Sequence, residues 1–190
     1  MLSKAFKTKK LKKISNIQNK SFELSLLLSV PASLGLILAS EEIVNALFGY
    51  GSFSKDDVAL TAEALKYFGF GVPAFALVKI LSNFYFARDN TKTPFYISMF
   101  IVILNIFISV SLFSKIGFII IPIATSISTW IGVFIYLYLL NLKKALLLKN
   151  YLMLNFIKIL ASTVVMSLVL LLALDNYANY LEYFYKYKAL

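Results

Sequence analysis

Polar chemistry in this chain sits where its neighbours offer no water. Lys79 stands inside the apolar run Val72-Pro73-Ala74-Phe75-Ala76-Leu77-Val78-Lys79-Ile80-Leu81. It reads either as a snorkelling lysine, with its stem in lipid and its ammonium at the headgroups, or as a cation facing a cavity that attracts an anionic substrate. Asn105 lies in the middle of another run, with Ser109 one helical turn on and Ser111 nearby. A buried amide either ties helices together by hydrogen bonds or lines a path for ions or substrate. Arg88 and Lys92 flank Asp89-Asn90-Thr91, where an apolar run stops at Thr93-Pro94. Gly69, Gly71 and Pro73 weaken the backbone ahead of Lys79, as a fixed kink or as the flexible point of a helix that moves.

Much chemistry is excluded outright. The 190 residues contain no cysteine and no histidine, so disulfides, thiol catalysis, Cys/His zinc sites and a histidine general base are absent. The nine Asp and Glu form no carboxylate pair, and none lies at the middle of an apolar run. There is no phosphate loop and no nucleophile–base arrangement. Enzyme activity has no support, and no cofactor is implied.

These residues need elements that live in lipid. Sixty per cent of the chain is hydrophobic and only 15% charged, more apolar surface than a soluble domain of this size can hide. The net charge of +10 does not point to nucleic acid, because Lys and Arg concentrate at the ends of apolar runs. Seven lysines (4, 7, 9, 10, 12, 13 and 20) precede the first run, the pattern of segments held on the cytoplasmic side with anionic headgroups as partner. A signal peptide fits poorly, since that first run is too long.

A spanning helix needs roughly 20 apolar residues. Five segments qualify, at about 22–48, 60–86, 94–113, 118–142 and 153–174. The expected fold is all-α, a polytopic transmembrane helix bundle. A basic cytoplasmic segment at 1–21, read as a connector or a surface helix, precedes it, and a polar, aromatic tail at 175–190 follows. Glu41 and Glu42 mark an interface, Gly49-Tyr50-Gly51-Ser52 a turn, and Ser54 or Asp56 a helix cap. Loop by loop, the basic residues put the N-terminus in the cytoplasm. Ala124, Ser128 and Gly132 make a small-residue face beside Thr125 and Thr129, suited to close helix packing. Pro122 predicts a local kink, and Lys158 a snorkelling lysine.

Several stretches together resemble the MurJ/MviN lipid II flippases. They are Leu47-Phe48-Gly49-Tyr50-Gly51-Ser52-Phe53, Tyr67-Phe68-Gly69-Phe70-Gly71-Val72-Pro73-Ala74-Phe75, Lys79, Tyr85-Phe86-Ala87-Arg88 with Thr91-Lys92-Thr93-Pro94, Asn105, and Ala124-Thr125-Ser126-Ile127-Ser128-Thr129-Trp130. The resemblance covers nearly the whole chain. It implies a partial second lobe of a multidrug/oligosaccharidyl-lipid/polysaccharide exporter fold, equivalent to the ninth to thirteenth of fourteen helices, in the bacterial inner membrane. It further implies movement of undecaprenyl-linked peptidoglycan precursor, lipid II, from the inner to the outer leaflet by alternating access. The partners would be lipid II, membrane lipids and the missing N-terminal part of the same transporter, without which the chain would be inactive. Lys79, Asn105, Arg88 and Lys92 are then the substrate or transport residues, and Gly69, Gly71 and Pro73 the hinge. A related polysaccharide-lipid or drug exporter and a non-transporting membrane scaffold are the alternatives.

Two departures from the family pattern matter. The family reads Gly-Asp-Thr where this chain has Asp89-Asn90-Thr91, as though the acid had shifted by one place. Some relatives hold sodium with an Asn, an Asp one turn later and a Thr on the next helix. Asn105 and Thr125 fit that pattern, but Ser109 replaces the carboxylate, so sodium is not favoured.

Overall fold

The computed structural model describes residues 11–143, 145 and 151–188, with side chains described as far as 176. The lysines at 4, 7, 9, 10, 144 and 149 lie outside the described residues, as do the side chains at the end of the tail. Six α-helices appear among the described residues: α1 (Leu11–Leu38), α2 (Ser40–Phe48), α3 (Lys55–Phe86), α4 (Lys92–Ile116), α5 (Ile120–Leu142) and α6 (Tyr151–Lys188), with one 3₁₀ turn at Gly117–Ile119.

Boundaries differ from the sequence expectation at two places. Helix α1 begins inside the segment read as a basic connector, because Ile14, Gln18 and Phe22 recur every four residues on one buried face. Three of the buried residues there, Ser15, Gln18 and Asn19, are polar, which hid the pattern. Gln18 donates to the Ala145 carbonyl (3.1 Å) and Asn19 to the Ser15 carbonyl (2.6 Å). The stretch 22–48 divides close to Glu41 and Glu42, the interface that the sequence marks. The helix runs through Pro31 and Gly35 and breaks at Ala39 (φ −107°, ψ 23°), after which α2 turns Val44 onto Val58 and Ala62 of α3. Finally, α6 continues past 174 to Lys188.

Helix α3 starts on a reciprocal cap. The Ser54 hydroxyl accepts from the Asp57 N–H, and the Asp57 carboxylate accepts from the Ser54 N–H. Its 32 residues span about 48 Å at 1.5 Å each, longer than about 30 Å of hydrocarbon, and its capped first turn carries Asp56 and Asp57. Among the described residues, four helical stretches are long and apolar enough to cross a membrane by length and composition. One of them, Lys92–Leu142, is a folded hairpin. Its chain reverses at Gly117, whose φ of +75° and ψ of −154° belong to glycine. Pro94 then meets Tyr136, and Asn105 meets Thr125, so α4 and α5 are antiparallel.

Other pairings complete the topology. Phe22 meets Phe84 and Ser33 meets Gly69, so α1 and α3 are antiparallel. Tyr67 pairs with Ser126 and Phe70 with Trp130, so α3 and α5 are parallel. The helices lie side by side in the order α6, α1, α3, α5, α4, with α2 on α3. Crossing direction alternates along the chain, although α3 and α4, consecutive in sequence, barely touch. The principal core forms where α1, α3 and α5 converge on Phe22, Leu77, Leu81, Phe84, Tyr85, Val133, Tyr136 and Leu140. Tyr85 and Tyr136 pack at 5.8 Å between ring centres. Outward faces stay apolar. Val102, Ile106, Phe107 and Val110 of α4 and Val164, Val165, Leu168 and Leu172 of α6 are all more than half exposed, a surface that suits lipid or another helix rather than water.

Candidate functional site

Pro73 is the starting point. Proline has no N–H, so the Gly69 carbonyl one turn earlier loses its helical partner. The Ser33 hydroxyl of α1 takes that place, donating to the Gly69 oxygen at 2.7 Å. Two further carbonyls of the same segment accept from α5: Tyr67 from the Ser126 hydroxyl (2.7 Å) and Phe70 from the Trp130 indole (3.0 Å). The backbone predicted to be weak is therefore held from both sides by three side-chain donors. The glycines make this approach possible. A Cβ on Gly69 would stand 2.8 Å from Ile37 of α1, and one on Gly71 would stand 2.7 Å from the Ser126 hydroxyl. Helix α3 runs unbroken through Gly69, Gly71 and Pro73.

Asn105 and Thr125 come together across the hairpin. The amide donates to the Thr125 hydroxyl at 2.8 Å, and that hydroxyl donates to the Ile121 carbonyl at 2.7 Å. The Ser109 hydroxyl is buried one turn away with no hydrogen-bond partner. These oxygens are all neutral, and the Asn105 amide already faces Thr125. Among the described residues no group of acidic, His or Cys side chains could hold a metal ion. The set lacks the carboxylate that would most attract a hard cation, which leaves sodium unfavoured. What the geometry provides is a neutral tie between two helices.

Lys79 is exposed and lines a groove between α1 and α3, across from Ser21, Ser25 and Ser29. Arg88 does something different. Its guanidinium donates to the Ala145 carbonyl at 2.5 Å, the same oxygen that Gln18 of α1 reaches. Burial pulls the Arg88 pKa down, and the neighbouring Tyr85 pushes it back up. The Lys143 ammonium lies over the Tyr85 ring, 5.6 Å from its centre, a cation–π contact. Arg88 thus ties the α3 exit to the chain between α5 and α6. Lys92 is exposed at the start of α4, beside an open hollow lined by Val78, Ser82, Phe86 and Tyr96. The structure brings Asn105 and Thr125 together and leaves Lys79, Arg88 and Lys92 at three separate places.

The loop resolves the apparent shift of the acid. Asp89 has φ +55°, the one non-glycine residue with positive φ among those described. It occupies the backbone state that a glycine would favour. Asn90 then accepts from the Thr93 N–H (3.1 Å) and donates to the Thr93 hydroxyl (3.0 Å). Asn90 thus does the capping that an aspartate there would do, and Asp89 has not inherited that role. Sequence reasoning also missed Ser33, Ser126 and Trp130 as partners of the weak segment. The only signal for them is that Pro73 must orphan a carbonyl somewhere.

Comparison with known proteins follows the same outline. The family model described as "Lipid II flippase MurJ" matches residues 1–189. A probable lipid II flippase MurJ of Rickettsia prowazekii (strain Madrid E) is 36% identical over 181 residues, which is 95% of this chain and 36% of that protein. The lipid II flippase MurJ of Thermosipho africanus (strain TCF52B) is 31% identical over 154 residues, 81% of this chain and 31% of that protein. Among solved structures, a lipid II flippase MurJ in an inward closed conformation aligns with a TM-score of 0.76 and 30% identity, over 90% of this chain and 35% of its own. The chain spans about a third of the length of these relatives.

Proposed function

This chain belongs to the lipid II flippase MurJ family, and from that premise we propose that it forms the C-terminal part of a lipid II flippase in the bacterial inner membrane. It is a multi-pass membrane protein with the helical exporter architecture. In this reading it acts with further helices of the same transporter to carry undecaprenyl-linked precursor from the inner to the outer leaflet by alternating access. The lysine-rich ends of the helices face the cytoplasm. The observation that supports it most is the match of the family model along residues 1–189.

The geometry suggests how the parts divide the work. Helices α1, α3 and α5 form a packed slab, and Arg88 fastens its lysine-rich end to the α5–α6 connection. The segment around Gly69, Gly71 and Pro73 is the hinge, with Ser33, Ser126 and Trp130 holding it in one setting. Lys79, seven residues inside the end of α3 at Phe86, serves the anionic substrate. Lys92 serves headgroups at the rim. Asn105 keeps α4 on α5 during movement.

A chimera tests this. The 190 residues replace the matched part of the Rickettsia prowazekii relative, and lipid II export is measured in cells depleted of their own flippase. The chimera restores export, this chain alone does not, and Lys79→Ala or Asn105→Leu within the chimera lowers export. Rescue by the chain alone, or an inserted chimera that never exports, overturns the reading. Full export by both substituted chimeras points to a scaffold instead.

A further inference from the structure

We propose that the groove between α1 and α3 is a phosphate subsite for a lipid headgroup, with the Lys79 ammonium and the hydroxyls of Ser25 and Ser29 as its donors. The lipid as carrier rests on the reading above, whereas the phosphate chemistry rests on the groove. Ser21, Ser25, Ser29 and Ser33 recur every four residues, so they lie along one side of α1. Ser33 is already used by the carbonyl that Pro73 orphans. Ser25 and Ser29 are 9% and 5% exposed, and both hydroxyl oxygens lack a hydrogen-bond partner. A buried hydroxyl without a partner is costly and rare, so it asks for one. Both residues line the groove that Lys79 lines from α3.

The chemistry of the occupant follows from what surrounds it. Among the described residues no acidic side chain lines the groove, and the nearby Glu23 carboxylate accepts from Asn155 of α6 at 2.9 Å. Lys79 and the two serines line a space of about 470 Å³, within the range of small-molecule sites. Such a set suits a tetrahedral anion with several acceptor oxygens. Leu24 and Leu28, both about half exposed or more, and Ile80 flank the donors, giving an apolar wall for an attached chain. Lys79 lies seven residues before the end of α3 at Phe86, about 10 Å inside that end. A headgroup phosphate drawn slightly below the interface reaches that depth.

The test uses the purified 190-residue chain in a nonionic detergent, titrated with dodecyl phosphate, dodecanol and inorganic phosphate. Native mass spectrometry reads occupancy, and helicity with thermal melting confirms that each variant is folded. Dodecyl phosphate binds in preference to the other two probes. Lys79→Ala weakens it about tenfold, Ser25→Ala with Ser29→Ala weakens it several-fold, and Lys79→Arg retains most of it. Equal binding of dodecanol removes the phosphate from the proposal. Equal binding of inorganic phosphate removes the lipid. Binding unchanged in the Ala variants, or no binding to the wild type, makes the groove a seat for another helix and overturns the site. No transport is measured, so this failure is distinct from failure of the export chimera.

Discussion

Asp89 is a residue whose type argues with its backbone. At φ +55° an L side chain crowds the following carbonyl, and glycine escapes that penalty. Asp89→Gly is therefore expected to stabilise the chain by about 0.5–1 kcal/mol, visible as a higher melting temperature in detergent. No change would mean that the loop relaxes without effect. The loop was half legible in the sequence. Arg88 to Thr93 read as an exit, yet nothing local showed that Asn90 caps the helix while Asp89 bends the chain. The Asn105–Thr125 contact carries a second expectation. In a double-mutant cycle, Asn105→Leu and Thr125→Val couple by about 0.6–1.7 kcal/mol, and sodium and potassium chloride give the same melting temperature. Ser109→Asp adds the missing negative oxygen one turn from Asn105 and is expected to make stability depend on sodium. A sodium effect in the unsubstituted chain would show that neutral oxygens suffice.

Helix α3 is where sequence and tertiary structure meet most closely. Gly69, Gly71 and Pro73 announce a weakened helix, but the donors that repair it lie 36, 59 and 60 residues away in sequence. No local pattern links them, because α3 and α5 are parallel neighbours with α4 between them in sequence and outside them in space. The repair has an arithmetic that can be measured. Ser33→Ala strips the Gly69 carbonyl of its donor and is expected to cost about 1 kcal/mol. Pro73→Ala supplies a backbone N–H to the same oxygen. In the Pro73→Ala background, Ser33→Ala should therefore cost much less, and strict additivity in reversible unfolding would show that the two residues do not share the carbonyl. The same helix has a pH-sensitive start. Hydrogen bonds from the Ser54 side chain and then its backbone hold the exposed Asp57 carboxyl below the usual carboxylate range. A lowered folded pKa means that the cap's contribution is full above the ordinary carboxylate value. It is lost as pH falls through the lowered one. Amide exchange in the first turn of α3 should rise on acidification across that window, and Asp57→Asn should abolish the step.

At the scale of the whole molecule, the pairings among helices demand one sidedness. Because α1 and α3, then α4 and α5, are antiparallel while α3 and α5 are parallel, the ends of the helices sort into two sets. Lys12, Lys13, Lys20, Arg88, Lys92 and Lys143 fall at one set of ends. Lys55 and Lys115 fall at the other, with Glu41, Glu42, Asp56 and Asp57. The charge asymmetry was legible residue by residue, since it needs only the positions of apolar runs. The lateral order of the helices was not, because apolar faces of similar composition do not say which neighbour they choose. Positive charge in short loops stays in the cytoplasm, so the first set is expected there. The chain has no cysteine, and single cysteines at Asn16, Asp89, Ser52 and Ser114 report without background. A membrane-impermeant maleimide applied to intact cells should label the variants at Ser52 and Ser114. Those at Asn16 and Asp89 should react only after permeabilisation. Reversal of all four would invert the orientation and keep the fold. Labelling of Asp89 and Ser114 from the same side would be incompatible with α4 as a crossing helix, and with it the hairpin that joins Asn105 to Thr125.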